Sequence, residues 1–354
     1  MLGFVARRAL TAAALLLLLT FLTFLIFYAI PAQPGRILVG EHAPLSAVER
    51  ANERLGADRP IYVQYGKFLW RLLHGDLGSS WPSLGGGAAE KLAVAPTLVD
   101  AAGVTASVVL GGAAMLLLIA IPLGALAAAR PGSKVDRLAT VGAVAGISLP
   151  PIVVGLLLQT FVGRMLGLAP ASGYCNLLPS TSQPPDATLT CSGPAQWASH
   201  LVLPWITFAL FFVALYMGMT RARVSEVLRE PYIRTARAKG ASEGRVLRSH
   251  ALRNAILPIM TMLGMDVAMA VSLSIYVETV YDLPGVGRLA VESLNGQSGG
   301  FDLPVILGVV LFTGTAVIVL NLVIDLLYGM IDPTINDSGS RRRASQAWVA
   351  RAFR

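Results

Sequence analysis

Two long apolar stretches contain side chains that could carry charge or bind an ion. Asp266 lies near the middle of the stretch 255–280, and Asn321 and Asp325 lie four residues apart on one helical face of the stretch 303–331. A carboxylate at membrane depth is costly and usually faces a cavity or a partner. The three residues are therefore candidates for a transport pathway or a subunit interface, although Asp325 could instead meet water or a basic residue at the inner end of its stretch.

Both cysteines of the chain, Cys175 and Cys191, lie in the segment 167–200, which is rich in Pro, Ser, Gly and Thr. Two cysteines in one segment outside the cytoplasm favour a disulfide. Zinc binding is the alternative, for which His200 is the one further ligand nearby. We expect a Cys175–Cys191 disulfide and no metal site.

Motifs that bind nucleotide or perform hydrolysis are absent from the sequence. There is no phosphate-binding loop of the form G-x-x-x-x-G-K-[ST], and the single Gly-Lys pair, Gly66–Lys67, is followed by Phe68. The four histidines have no metal-ligand spacing, and neither H-E-x-x-H nor G-x-S-x-G occurs. We expect no catalytic residue and no cofactor in this chain, so any ATP and Mg would bind another polypeptide.

The composition is that of a polytopic membrane protein. Hydrophobic residues make up 55% of the chain and the mean hydropathy is +0.65. A helix that crosses about 30 Å of hydrocarbon needs about 20 apolar residues. Six runs satisfy this, and they predict an all-α fold with spans at roughly 9–31, 102–129, 138–166, 201–220, 255–280 and 303–331.

The basic residues predict how the chain is oriented. Arg7 and Arg8 precede the first run, which is longer than a signal-peptide core and lacks a small-x-small cleavage site, so we expect an uncleaved anchor. With the amino terminus inside, the cytoplasmic segments hold most of the 28 Lys and Arg residues. This positive-inside bias places both termini and the segment 229–258 in the cytoplasm. The net charge of +8 is explained by the same bias rather than by nucleic-acid binding.

The cytoplasmic segment 229–258 has the signals of two helices joined by a glycine. Pro231 suits a first helical position, and Gly240 suits the residue just after a helix end. Ser242 can cap a second helix. A helix this short is marginal alone, so it should dock on another surface. A simpler interpretation is a charged loop that sets topology and touches anionic lipid.

Part of this segment resembles the cytoplasmic coupling loop of type I ABC importer permeases, in the peptide/nickel branch. The resemblance covers residues 232–240 (YIRTARAKG) and 255–258 (AILP), with Arg234 and Thr235 where the wider family has glutamate and alanine. It implies that this segment couples an ATPase to the membrane helices. The implied coupling residues are Tyr232, Thr235, Ala236, Arg237, Ala238, Lys239, Gly240 and Ala241.

Further segments resemble the peptide permeases. Residues 55–65 and 75–80 are similar to the signature after the first helix, and residues 278–287, which begin with Glu278, are similar to an outer-loop motif. The resemblance continues through 302–304, 321–329 and 332–333. Glu278 joins Asp266, Asn321 and Asp325 as a candidate pathway or interface residue.

The resemblance implies a domain arrangement. We expect an amino-terminal end with the first helix at 1–31, a structured outer region at 32–98, and a transmembrane core at 99–335. The outer loop 167–200 matches no known pattern and is interpreted as an insertion, and 336–354 is interpreted as a basic cytoplasmic tail.

The resemblance also implies partners and a location. These are a homologous second permease, two ATPase domains or one fused ATPase, an extracytoplasmic binding protein and membrane lipid, all at a bacterial plasma membrane. The expected activity is ATP-driven import of short peptides. Nickel complexes or another small solute are alternative substrates. A secondary transporter with Asp266 or Asp325 as a proton or sodium site, and an intramembrane enzyme, are alternative classes.

Overall fold

The computed structural model describes residues 2–26, 44–46, 48–50, 60–80, 93–134, 136–137, 140–142, 150–177, 191, 193–295 and 302–331. Within these ranges the chain is mainly helical, and its β structure is limited to isolated bridge residues, which include a bridge between Ser79 and Ala93. The chain divides into two compact units, one formed by Met1–Ala95 with Ser293–Arg354 and the other by Pro96–Glu292. The two units are described separately.

The first unit contains helices α1 (Leu2–Phe24), α2 (Ile61–Leu73) and α10 (Leu303–Ile331), with α1 packed against α10. Helix α2 packs on α1 through aromatic rings. Tyr65 and Phe68 pack against Phe24 with ring centroids 5.4 and 5.7 Å apart. The Tyr65 hydroxyl also lies 3.0 Å from the Thr20 hydroxyl. The aromatic face of α2 therefore fixes this helix to the end of α1.

The second unit contains the remaining helices. They are α3 (Val94–Ala129), α4 (Pro151–Leu157) with a π-helical extension Leu158–Met165, α5 (Pro194–Val227), α6 (Pro231–Ala238), α7 (Glu243–Arg245) with a π-helical extension Val246–Leu252, α8 (Arg253–Tyr281) and α9 (Val286–Asn295). Among these, α5 and α8 make the most extensive contact. Their shared core contains Phe208, Phe212, Tyr216, Ile259 and Leu273, together with Leu116 of α3.

Within the described residues, four helices are long and apolar enough to cross a membrane: Val5–Phe24, Val94–Ala129, Pro194–Val227 and Leu303–Ile324. Pro258–Gly264 and Met269–Tyr281, which meet at a bend of 65°, give a fifth crossing if the two parts count as one span. Pro151–Met165 is apolar but shorter. The sequence predicts six spans, and the first half of the expected third span, 138–166, lies largely outside the described residues.

The tandem prolines in the third apolar run begin a helix instead of bending one. Pro150 is extended, with φ −59° and ψ 141°, and Pro151 is the first residue of α4. Proline disfavours helical geometry in the residue before it, and it loses nothing at a first helical position because the amide there has no partner within the helix. Pro150 and Pro151 therefore mark the beginning of α4 and do not kink it.

Candidate coupling segment and membrane-embedded polar sites

The segment that resembles a coupling loop folds as a helix, a glycine and a second helix. Helix α6 begins at Pro231 and ends before Lys239. Gly240 follows with φ +84°, and the amides of Gly240 and Ala241 donate to the carbonyls of Arg237 and Ala236, at 2.9 and 3.1 Å. This is the Schellman arrangement, in which a left-handed glycine closes the helix end. The helix–glycine–helix prediction is confirmed.

An ion pair stabilises the turn at Gly240. The Arg237 guanidinium donates to both carboxylate oxygens of Glu243, at 2.7 and 3.1 Å, and so links the two helices across the glycine. The hydrogen bond from Arg237 lowers the pKa of the Glu243 carboxyl group below its ordinary value. Ser242 has the extended backbone of a capping residue, but its side chain makes no capping bond. The predicted Ser242 cap is thus wrong in its chemistry and right in its position.

One face of the coupling segment is packed on the chain itself. Ile233 and Val246 are fully buried. Ala251 and Ala255 pack with Ala125, Ala128 and Val224, at the ends of α3 and α5. The small side chains allow the backbones to approach closely, so the segment is docked and not a free loop.

The other face of the coupling segment is exposed. Asn254 donates to the hydroxyl oxygen of Tyr232 at 2.7 Å, which links α6 to the start of α8. Ala236 and Ala241 are partly buried, and Gly240 is exposed at the turn. The remaining predicted coupling residues are also exposed, and they are Tyr232, Thr235, Arg237, Ala238 and Lys239. The structure brings all eight residues into one compact element.

A second ion pair, between Arg221 and Asp136, was not predicted from the sequence. Arg221, near the end of α5, donates from Nε and Nη2 to the two oxygens of Asp136, at 2.8 and 2.9 Å. The amide of Gly132 also donates to Asp136 at 2.9 Å. The pair fixes the turn after α3 to α5. The signal in the sequence is that Asp136 is the sole acid among the basic residues 130–137.

Glu278 lies in a closed polar cluster. Its side chain is fully buried and accepts hydrogen bonds from the Thr105 hydroxyl and the Gly287 amide, both at 2.7 Å, and from the Arg288 amide at 3.2 Å. Gly287 and Arg288 are the second and third residues of α9, whose amides have no partner within the helix. Glu278 therefore caps α9 from a neighbouring helix. A β-carbon on Gly285 would lie 2.3 Å from the Glu278 carboxyl carbon, so only glycine fits there.

Asp266 meets a tyrosine within the membrane-spanning part of the chain. The hydroxyl of Tyr216, which is fully buried in α5, donates to Asp266 Oδ2 at 2.7 Å. Asp266 itself is partly buried and lies in the break between the two straight parts of α8. Of the other two candidates, Asn321 is exposed on α10, and the side chain of Asp325 lies outside the described part of the structure.

Cys175 and Cys191 are joined as a disulfide, with Cα atoms 5.3 Å apart. Cys175 is buried, and its sulfur lies 3.2 Å from His200 Nδ1. The segment before it is attached to the end of α8, because the Gly173 amide donates to the Tyr281 carbonyl at 3.0 Å. The ligand atoms of Cys175, Cys191 and His200 lie within 4.8 Å of one another, so the three residues of the alternative zinc site are close together. The two sulfurs are bonded to each other in the disulfide.

The long apolar helices and the docked polar segment between two of them define the class as a polytopic membrane protein. Residues 120–337 match the family described as the binding-protein-dependent transport system inner membrane component, and residues 1–109 match the amino-terminal family of the same membrane components. The chain belongs to this family of transport-system permeases.

Relatives in several bacteria cover nearly the whole chain. The dipeptide transport system permease protein DppB of Escherichia coli K12 is 35% identical over 354 residues, with 95% of this chain and 99% of the relative covered. A putative peptide transport system permease protein of Brucella suis is 32% identical with the same coverage. A chain of the MetNI methionine ABC transporter, in an inward-facing conformation, covers 67% of this chain and 96% of its own length at 18% identity, with a TM-score of 0.49. The Escherichia and Brucella relatives carry names of peptide permeases, as the sequence resemblance predicts.

Proposed function

We propose that this chain is the transmembrane permease subunit of an ATP-driven importer that moves di- and oligopeptides into the cytoplasm. The observation that carries the proposal is the coupling segment, which is docked on α3, α5 and α8 through one face and exposes the other. Relatives that span the whole chain and are named as dipeptide and peptide permeases support the substrate class.

The proposed mechanism follows from the rigidity of this segment. The Schellman turn, the Arg237–Glu243 ion pair and the Tyr232–Asn254 hydrogen bond hold α6 to α7 and to the start of α8. A displacement of α6 by an ATPase would therefore move the ends of the spanning helices together. The ATPase shifts the equilibrium between outward- and inward-open states only through contacts that differ between the two states.

The partners in this proposal are a homologous second permease, two ATPase domains or one fused ATPase that bind ATP and Mg, an extracytoplasmic binding protein and lipid. The chain itself contributes no ATPase site, and no nucleic acid takes part. Both termini and the coupling segment face the cytoplasm of a bacterial cell, and the disulfide-containing segment faces outward.

The test is transport by the purified assembly. The complex is reconstituted in vesicles with its ATPase subunits and binding protein, and uptake of radiolabelled dialanine is measured with ATP and Mg on the cytoplasmic side. We expect uptake that stops when ATP is replaced by ADP. Uptake that follows a proton or sodium gradient without ATP would contradict the proposal in favour of a secondary transporter, and uptake of nickel complexes but no peptide would contradict its substrate class.

A further inference from the structure

The carboxyl group of Asp266 lies within a spanning helix and has no countercharge. Among the residues that the structure describes, no Lys, Arg or His forms an ion pair with Asp266, and its hydrogen-bond partner is the neutral hydroxyl of Tyr216. Isolated charges in a membrane cost several kcal/mol and mark ion or substrate pathways. Within the described part of the structure, the Asp266 carboxyl group therefore has a hydroxyl partner and no cation.

Asp266 also lies where α8 bends. The parts Pro258–Gly264 and Met269–Tyr281 meet at 65°, and Asp266 is one of the residues between them. Distorted spanning helices are common next to the substrate sites of transporters. The position of Asp266 thus agrees with a site on the transport pathway.

One exposed methionine lies a helical turn from the carboxylate. Met262 and Met269 lie four residues before and three residues after Asp266, the spacing of one helical face. Met262 packs against the apolar core that contains Tyr216 and Met217, whereas Met269 is 53% exposed. Methionine is flexible and polarizable, and it forms surfaces that accept ligands of varied shape. One fixed negative charge within such a surface suits ligands that share one positive charge and differ elsewhere.

Peptides have this property, because every unmodified peptide carries an α-ammonium group at neutral pH whatever its side chains are. We propose that Asp266, oriented by Tyr216, binds the α-ammonium group of the peptide during its passage, while the exposed Met269 accommodates the side chains. This proposal rests on the proposed function, because it assigns the specificity-determining residue of the same transport reaction. Tyr216 is a positioning residue that holds Oδ2 and leaves Oδ1 for the ligand.

The test compares a charged and a neutral ligand on charged and neutral variants. The ligands are radiolabelled dialanine and N-propionylalanine, which has the same shape but lacks the amino group. The proteins are the wild-type complex of permeases and ATPases without its binding protein, Asp266→Asn, and Asp266→Glu, which keeps the charge. Binding is measured by equilibrium dialysis, because the binding protein would otherwise select the ligand first.

The wild-type complex should bind dialanine about tenfold more tightly than N-propionylalanine, the value expected for one charge-assisted hydrogen bond. Asp266→Asn should remove this preference without changing the binding of N-propionylalanine, and Asp266→Glu should retain most of it. The matched control is Glu226→Gln, which removes an exposed carboxylate at the carboxyl end of α5. This variant should leave the preference unchanged.

The inference would be overturned if the wild-type complex bound both ligands equally or did not bind dialanine. It would also be overturned if the Asp266→Asn variant kept the preference for dialanine. An Asp266→Asn variant that lost both ligands equally would indicate a structural role for Asp266 and would overturn the inference as well. Failure of the proposed function is distinguishable, because it would appear as a lack of ATP-dependent dialanine uptake by the wild-type assembly.

Discussion

Single buried polar residues explain where the helices of the second unit can end and begin. Glu278 is the clearest case, since its carboxyl group receives a hydroxyl and two backbone amides from different parts of the chain. Thr105 in turn accepts a hydrogen bond from the amide of Val286 at 2.9 Å. The start of α9 is therefore bonded to α3 and α8 through two side chains. Glu278 thus holds a structural position in the outer-loop motif.

Replacing Glu278 should destabilise the protein in proportion to the donors that it leaves unpaired. In Glu278→Leu, the amides of Gly287 and Arg288 and the hydroxyl of Thr105 lose their acceptor in a buried place, and each unsatisfied group costs about 1–3 kcal/mol. We expect a loss of at least about 3 kcal/mol, and a smaller loss for Glu278→Gln, which keeps one acceptor. Thermal unfolding of the purified protein in detergent measures both.

The control for this substitution is Glu226→Leu, which removes a carboxyl group that is 66% exposed. Its unfolding temperature should stay close to that of the wild type, because surface substitutions have small effects. A Glu278→Leu variant that unfolds at the wild-type temperature would show that the cluster does not hold α9.

At the scale of elements, the coupling segment depends on a backbone conformation that glycine adopts without penalty. Gly240 has φ +84°, and no atom lies within 4 Å of the position that a β-carbon would occupy, so the effect of a side chain there is purely conformational. Gly244 has equally open surroundings and no positive φ. The two glycines lie four residues apart in the same segment and form a matched pair for mutation.

Gly240→Ala should impair coupling and Gly244→Ala should not. An alanine in the left-handed region costs about 1–2 kcal/mol, which is enough to loosen the turn that joins α6 to α7. We expect a several-fold loss of peptide-stimulated ATPase activity for Gly240→Ala in the reconstituted complex, with normal membrane insertion. Equal activity of the two variants would mean that the turn does not transmit motion.

The elements also show what the sequence could and could not predict. Pro231 and Gly240 marked the ends of α6 correctly, because both act through backbone geometry that neighbours do not alter. Ser242 occupies the expected capping position but makes no side-chain cap, because serine permits several local hydrogen-bonding arrangements. The Arg221–Asp136 and Tyr216–Asp266 pairs join residues 85 and 50 positions apart. Local patterns contain no information about such pairs, and the capping role of Glu278 was missed for the same reason.

At the scale of the whole molecule, the distribution of charge predicts the orientation in the membrane. The segments 130–137 and 221–253 contain many of the basic residues. Because each span carries the chain to the opposite side, the side assigned to these two segments sets the side of the others. Cytoplasmic loops of bacterial membrane proteins are enriched in Lys and Arg, so both segments should face inward and the segment 60–80, after α1, should face outward. His74 and Arg248 are exposed residues on the two predicted sides.

Labelling of single cysteines in intact cells tests this orientation. The two native cysteines are paired in the structure and should not react with a maleimide in the absence of reductant. Labelling of a variant therefore reports the introduced cysteine. A membrane-impermeant maleimide should label His74→Cys in intact cells and should label Arg248→Cys only after the cells are opened. The wild-type protein, labelled without reductant, is the control, and reaction of its cysteines would show that the Cys175–Cys191 bond is absent in cells. Labelling of Arg248→Cys in intact cells with protection of His74→Cys would reverse the orientation and place the coupling segment where no cytoplasmic ATPase could reach it.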